Sequence, residues 1–130
     1  MDGGQRRSDA QLNVLGEPIT SCSHDPVTGF FRDGCCNTGP LDQGLHTVCA
    51  IMTSAFLEFS KAAGNDLSTP RPEFGFAGLK EGDRWCLCAA RWEQARQAGH
   101  APKIFLAATN QASLAVCNLT DLKAHAIDLN

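Results

Sequence analysis

His46-Thr-Val-Cys-Ala-Ile-Met52, followed directly by Thr53-Ser-Ala-Phe-Leu-Glu-Phe-Ser-Lys-Ala-Ala63 and closed by Gly64-Asn65, is the stretch that decides the fold. The first seven residues are a short apolar run with β-branched members, the mark of a buried strand. Thr53 is an N-cap residue, and Phe56, Leu57 and Phe59 give the segment after it an apolar side. Gly64-Asn65 supplies the left-handed stop of a helix through Ala63. Working outward, Arg84 to Ala90 reads as a second strand running into a helix that ends at Gly99. Pro102-Lys103 opens a third strand, Ile104 to Ala108, followed by a helical segment from Gln111 to Val116. Thr120 caps a last helix, Asp121 to Ala126. Strand–helix units recur without sequence repetition. The fold class is therefore α+β or α/β, a small sheet of about three or more strands covered by three to four helices.

Two long ordered loops separate these units. From Glu17 to Gly44 the chain carries Pro18, Pro26, Gly29, Gly34, Gly39, Pro40 and Gly44, which forbids a long helix or central strand. From Gly34 to Leu57 the only formal charge is Asp42, so this loop reads as packed rather than solvated. Asp66 to Asp83 is the second loop, with Pro70, Pro72, Gly75, Gly78 and Gly82. Long irregular segments in a small domain are usually functional, because backbone polar groups held without regular pairing are costly to maintain. Residues 1–11 are polar and glycine-rich and read as a disordered tail; residues 12–130 form a single domain, since 130 residues exclude two full ones.

Eleven basic against fourteen acidic side chains leave a net charge of −3, which lacks the electrostatic footprint of a nucleic-acid binder. Apolar runs such as Ile104 to Ala108 are far shorter than the roughly 20 residues a bilayer requires. Arg6-Arg7 is followed by no apolar segment, so no export signal is expected and the expected address is cytoplasmic. The chain has seven cysteines, an odd number and an excess. In a reducing compartment they read as buried small residues, metal ligands or reactive thiols before they read as disulfides.

Cys86-Leu-Cys88 on a strand puts both sulfurs on one face with Cα atoms about 7 Å apart, suited to two ligands of one metal, though small packing residues serve equally. Cys35-Cys36 is adjacent, so one thiol should face a pocket or water, and Arg32 nearby favours its thiolate. Asp42-x-Gly44-x-His46 leads into the first strand; on an extended backbone the carboxylate fixes the imidazole tautomer, as beside a ligand or general base. Cys49 then faces the other way. No C-x-x-C occurs, which excludes zinc ribbons and thioredoxin-type motifs as simple templates. Arg32, Arg71, Arg84 and Arg91 lie at loops and strand ends, placed to grip a carboxylate or phosphate or to pair with Asp25, Asp33, Asp66 and Asp83.

The runs Thr28-Gly-Phe-Phe-Arg-Asp-Gly-Cys-Cys-Asn-Thr-Gly39, His46-Thr-Val-Cys-Ala50, Gly64-Asn-Asp-Leu-Ser-Thr-Pro-Arg-Pro72 and Gly82-Asp-Arg-Trp-Cys-Leu-Cys-Ala-Ala-Arg-Trp92 resemble domain-of-unknown-function family 2237. The resemblance spans Asn13 to Ala126. It implies a small, mainly bacterial, stand-alone domain, with no activity or catalytic residue to carry over. The family pattern has cysteines at Cys22, Cys35, Cys36, Cys49, Cys86 and Cys88, while Cys117 falls where aliphatic residues are usual. Ala77 and Glu81 stand where the family often has proline.

Three functions follow. The first is a domain binding a small molecule, or a thiol-dependent enzyme, with a pocket between the loops lined by Cys35, Cys36, Asp42, His46, Asp66, Arg71, Arg84, Cys86 and Cys88. Cys35 or Cys36 would then be the nucleophile and His46 the base. The second is a zinc or iron domain with ligands from Cys35, Cys36, Cys49, Cys86 and Cys88, His46 being a further candidate. The third is a structural or interaction module whose cysteines pack. Cys22 sits apart from the candidate site in all three. Neither nucleic acid nor membrane is an expected partner.

Overall fold

The computed structural model describes residues 11–129. The tail expected over 1–11 lies outside these residues except for Gln11, which is tied down: its side chain exchanges two hydrogen bonds with the Thr38 backbone at 2.9 Å each.

Strands β1 (His46–Ile51) and β2 (Arg84–Cys88) pair antiparallel, with Cys49 opposite Cys86, Ala50 opposite Trp85 and Val48 opposite Leu87. A register irregularity lies between His46 and Val48, after which His46 stands opposite Cys88. Side chains alternate across the sheet. One set, Val48, Ala50, Trp85 and Leu87, joins the main core with Met52, Phe56, Trp92, Ile104, Leu106 and Leu122. The other set, Cys49 and Cys86, faces a smaller cluster with Cys22, Cys36 and Ala108.

Helix α1 (Ser54–Ala62) begins as expected: Thr53 Oγ1 accepts from the Phe56 amide at 3.0 Å, a cap whose loss costs about 1 kcal/mol. Gly64, at φ 98°, turns the chain away after it. Helix α2 (Ala89–Gln97) buries Ala89, Trp92 and Ala95, one stripe at three-residue spacing. The Trp92 indole donates to the Pro102 carbonyl at 3.1 Å. Helix α3 (Leu119–Ala124) starts earlier than expected, because the Asn118 side chain rather than Thr120 caps it, accepting from the Thr120 amide at 2.8 Å.

The architecture is α+β, but the described sheet has two strands, fewer than the three expected. Ile104 makes single bridges to Ala50 and Ala126, and Phe105 donates to the Cys49 carbonyl at 2.9 Å, so a third strand begins beside β1. It does not continue, because the Asp128 carboxylate takes the Leu106 and Ala107 amides at 2.8 and 3.0 Å and Leu106–Ala108 tightens into a 3₁₀ turn. The segment expected as helical over 111–116 is likewise a 3₁₀ helix, Gln111–Ala115. These segments cover the β1 side of the sheet and leave β2 as its outer strand.

The cysteines depart furthest from expectation. Cys22 is bonded to Cys49 at 2.06 Å and Cys36 to Cys86 at 2.04 Å, so the first loop is stapled to both strands. Spans of 27 and 50 residues give each bridge roughly 3–4 kcal/mol on a chain-entropy argument. Neither a thiol-only reading nor the isolation of Cys22 survives this. The pairings join residues that no short spacing motif connects, and only the tertiary fold brings them together.

Candidate functional site

A cleft of about 550 Å³ runs along the outer side of β2, between a wall from the first loop and a wall from the second. The first wall is held from behind. Buried Thr28 accepts a hydrogen bond from the Cys86 amide at 2.8 Å, and Gly29 packs so closely on the Cys35 carbonyl that no side chain fits there. Arg32 bends back, its Nη1 donating to the Gly29 carbonyl at 2.7 Å, and its guanidinium lies 5.1 Å from the centre of the Trp85 ring.

The second wall is a miniature hairpin. Arg71 and Phe76 exchange backbone hydrogen bonds of 2.7 and 3.1 Å around the turn Pro72–Phe74, which Gly75 closes in the left-handed region. Asp66 holds its entry, accepting from the amides and hydroxyls of Ser68 and Thr69. The Thr69 hydroxyl first, then the Ser68 amide, lower its pKa to about 2. Phe76 packs on Trp85 at 5.5 Å, while Phe74 stands largely exposed at the rim.

The floor carries the reactive groups. Asp42 is fully buried, and its carboxylate accepts from the Thr38 hydroxyl at 2.9 Å, the His46 amide at 3.0 Å and the His46 ring Nδ1 at 2.7 Å. A carboxylate accepts from Nδ1–H, and the tautomer that provides it turns Nε2 outward as a lone-pair acceptor. The His46 ring remains partly open and stacks near Phe30 at 6.3 Å. Cys88, outside both disulfides, stands opposite His46 in the strand register and lines the same cleft. This pairing lies at the register irregularity between His46 and Val48.

Of the candidate residues, His46, Arg71, Cys86 and Cys88 line the cleft, and Asp42 stands behind His46. Asp66 organises the second loop without reaching the lining. Arg84 lies over the Phe105 ring at 4.1 Å, away from it. Cys36, Cys49 and Cys86 are bridged and carry no thiol proton. Cys35 is half-buried on the loop, its amide donating to Asp33 at 3.0 Å, and is not among the lining residues. The five cysteines expected as metal ligands are not gathered as one set; the sulfurs of Cys22, Cys36 and Cys49 are, all within 4.8 Å of one another. Cys117 is buried in the main core, and that burial pushes its thiol up to about 12.

The aromatic lining, Phe30, Phe74, Phe76 and Trp85, escaped sequence reasoning. Its signal was the placement of phenylalanines inside breaker-rich loops, where an exposed ring has no packing role. A family model matches residues 12–126. The chain belongs to that family, DUF2237, described as an uncharacterised protein conserved in bacteria. The match covers both cleft walls, both strands and all six cysteines of the resemblance. No curated protein matches the chain. Among the described residues no helix is long and apolar enough to cross a membrane.

Proposed function

We propose that the cleft binds a small organic anion with an apolar or aromatic body, and that Cys88 is the thiol that reacts with it. The observation that carries this reading is the charge of the lining: Arg32, Arg71 and Arg91 with His46, and no acidic residue. Among the described residues none of the three is locked into a close ion pair. Arg71 lies 3.9 Å from Glu73, with both side chains exposed, and Arg91 donates to the Ala63 carbonyl and to Gln94. Guanidinium groups in such settings grip carboxylates and phosphates bidentately, while Leu67, Phe74, Phe76 and Trp85 offer apolar area for the rest of the molecule.

His46 and Asp42 support the reactive part. Nε2 accepts the proton of Cys88 Sγ, giving a thiolate, and the buried Asp42 carboxylate holds the ring and offsets the imidazolium charge. The chemistry requires Cys88 to stay a thiol, which a reducing cytoplasmic pool supplies while acting on the two bridges as well.

Charge-selective alkylation tests both parts. Cys88 should be the first cysteine labelled near neutral pH, and iodoacetate should be favoured over neutral iodoacetamide relative to a free thiol. Replacing Arg71 and Arg91 together by Ala should abolish that preference while leaving iodoacetamide labelling in place. Equal reagent preference in the wild type would overturn the anion site. First labelling at Cys35 would overturn the choice of Cys88.

A further inference from the structure

We infer that the sulfur cluster behind the cleft is a second site, in which Cys22, Cys36, Cys49 and Cys86 hold one zinc ion when their disulfides are reduced. The sulfurs of Cys22, Cys36 and Cys49 lie within 4.8 Å of one another; Cys86, bonded to Cys36, stands outside that set and supplies the fourth ligand once its freed side chain turns toward them. Tetrahedral zinc with bonds of about 2.3 Å sets its sulfurs about 3.8 Å apart. Opening each bridge from its bonded length to that spacing moves a pair of sulfurs apart by less than about 2 Å, within the reach of side-chain rotation.

The backbone is arranged for it. Cys49 and Cys86 are register partners on adjacent strands, fixed by the sheet. Cys22 and Cys36 come from one loop whose two arms are tied by the Cys22 and Ser23 amides donating to the Gly34 carbonyl at 2.7 and 3.1 Å. Two ligands on rigid strands face two on a closed loop, the pattern of a structural site assembled from distant segments.

The surroundings favour zinc over bare thiols. All four cysteines are buried, packed with Ala108, Ile19 and Phe105. Soft thiolates select zinc over hard cations. Arg84, stacked on Phe105, places a cation one ring away from the negative charge a tetrathiolate would carry.

The redox step balances with a dithiol as reductant. Each bridge takes two electrons and two protons from one dithiol, which becomes a disulfide, and two bridges yield four thiols. Zinc enters as Zn²⁺ and four protons leave, with no electron passing to the metal. A small disulfide as oxidant reverses the sequence and expels the ion. The cluster thus holds the first loop to the sheet in either state, by covalent bridges or by metal.

Cobalt and zinc ions alone serve as probes. Untagged protein reduced with a phosphine should take up one equivalent of Co²⁺, with thiolate-to-metal charge-transfer absorbance and tetrahedral d–d bands that zinc abolishes. Zinc should raise the unfolding midpoint of the reduced wild type and leave the oxidised protein unchanged. Cys35→Ala, Cys88→Ala and Cys117→Ala should keep the full cobalt spectrum, and Cys22→Ala should lose its four-sulfur form. Absence of stoichiometric cobalt in the reduced wild type would overturn the site without recourse to any variant. So would loss of the spectrum in Cys88→Ala with retention in Cys22→Ala. Cys88 is not a ligand, so its charge-selective alkylation is read on the oxidised protein, where Cys86 is bridged and no metal binds.

Discussion

The two loops that wall the cleft have similar compositions, rich in glycine and proline, yet they are held by different forces. The first, residues 17–44, is stapled to both strands by sulfur and pinned at Asp42, so its position depends on contacts far away in the chain. The second, residues 66–83, is held by short-range hydrogen bonds: the Asp66 cradle, the Arg71–Phe76 pair and the Lys80 backbone amide donating to the Asp83 carboxylate at 3.0 Å. The covalent wall carries Phe30 and Arg32 on a disulfide-held frame, while the hydrogen-bonded wall carries Arg71 and Phe74.

The comparison breaks most severely at the sulfurs. Replacing Cys36 and Cys86 by Ala in metal-free buffer should lower stability by roughly 2–5 kcal/mol in denaturant titration, with amide exchange accelerating first over residues 20–40. Equal acceleration in the second loop would show that the walls are one cooperative unit. Next comes Asp42→Ala, which strands the Thr38 hydroxyl, the His46 amide and the ring; we expect about 2–4 kcal/mol of destabilisation and loss of preferential Cys88 labelling.

Gly78→Ala tests the second wall. Gly78 sits at φ 84° against the Ser68 carbonyl, so a methyl group there is strained and crowded, costing about 1–3 kcal/mol. Its exchange effects should stay within the second loop. The smallest effect is one of pH. The folded pKa of Asp66 lies near 2, below the ordinary carboxylate value, so its contribution is complete above pH 4 and is lost as pH falls toward 2. Ser68 and Thr69 amides should lose protection across that range while the first loop keeps its own. Asp66→Asn should remove the pH dependence at these amides.

Much of this was readable along the chain. The strand at His46, the Thr53 cap and the Gly64 stop are local signals and hold to within a residue or so. The Asp42–His46 contact was expected on an extended backbone, but a turn makes it: the Leu45 amide donates to the Asp42 carbonyl at 3.1 Å and Leu45 sits at φ 49°, folding together residues that a strand would hold about 13 Å apart. The third strand failed for a reason lying outside its own residues: Asp128, twenty-two residues beyond Leu106, takes the amide that would continue the ladder. The thiol proposed as reactive is Cys88 rather than a member of the Cys35–Cys36 pair, because Cys36 is consumed by a bridge, Cys35 is not among the cleft-lining residues and the strand register sets Cys88 opposite His46.

What the sequence by itself determined is therefore the short-range part: where helices start and stop, which residues alternate into the sheet, and that cysteine, histidine and arginine gather around two breaker-rich loops. Local sterics, hydrogen bonding to the nearest backbone and hydrophobic period govern these, and each acts within a few residues. Only the tertiary structure decided which cysteines meet, which arginines face the cleft and which thiol lies across the strand register from the histidine. Those outcomes depend on closing loops of 27 and 50 residues, and no spacing along the chain encodes where two such distant segments come to rest.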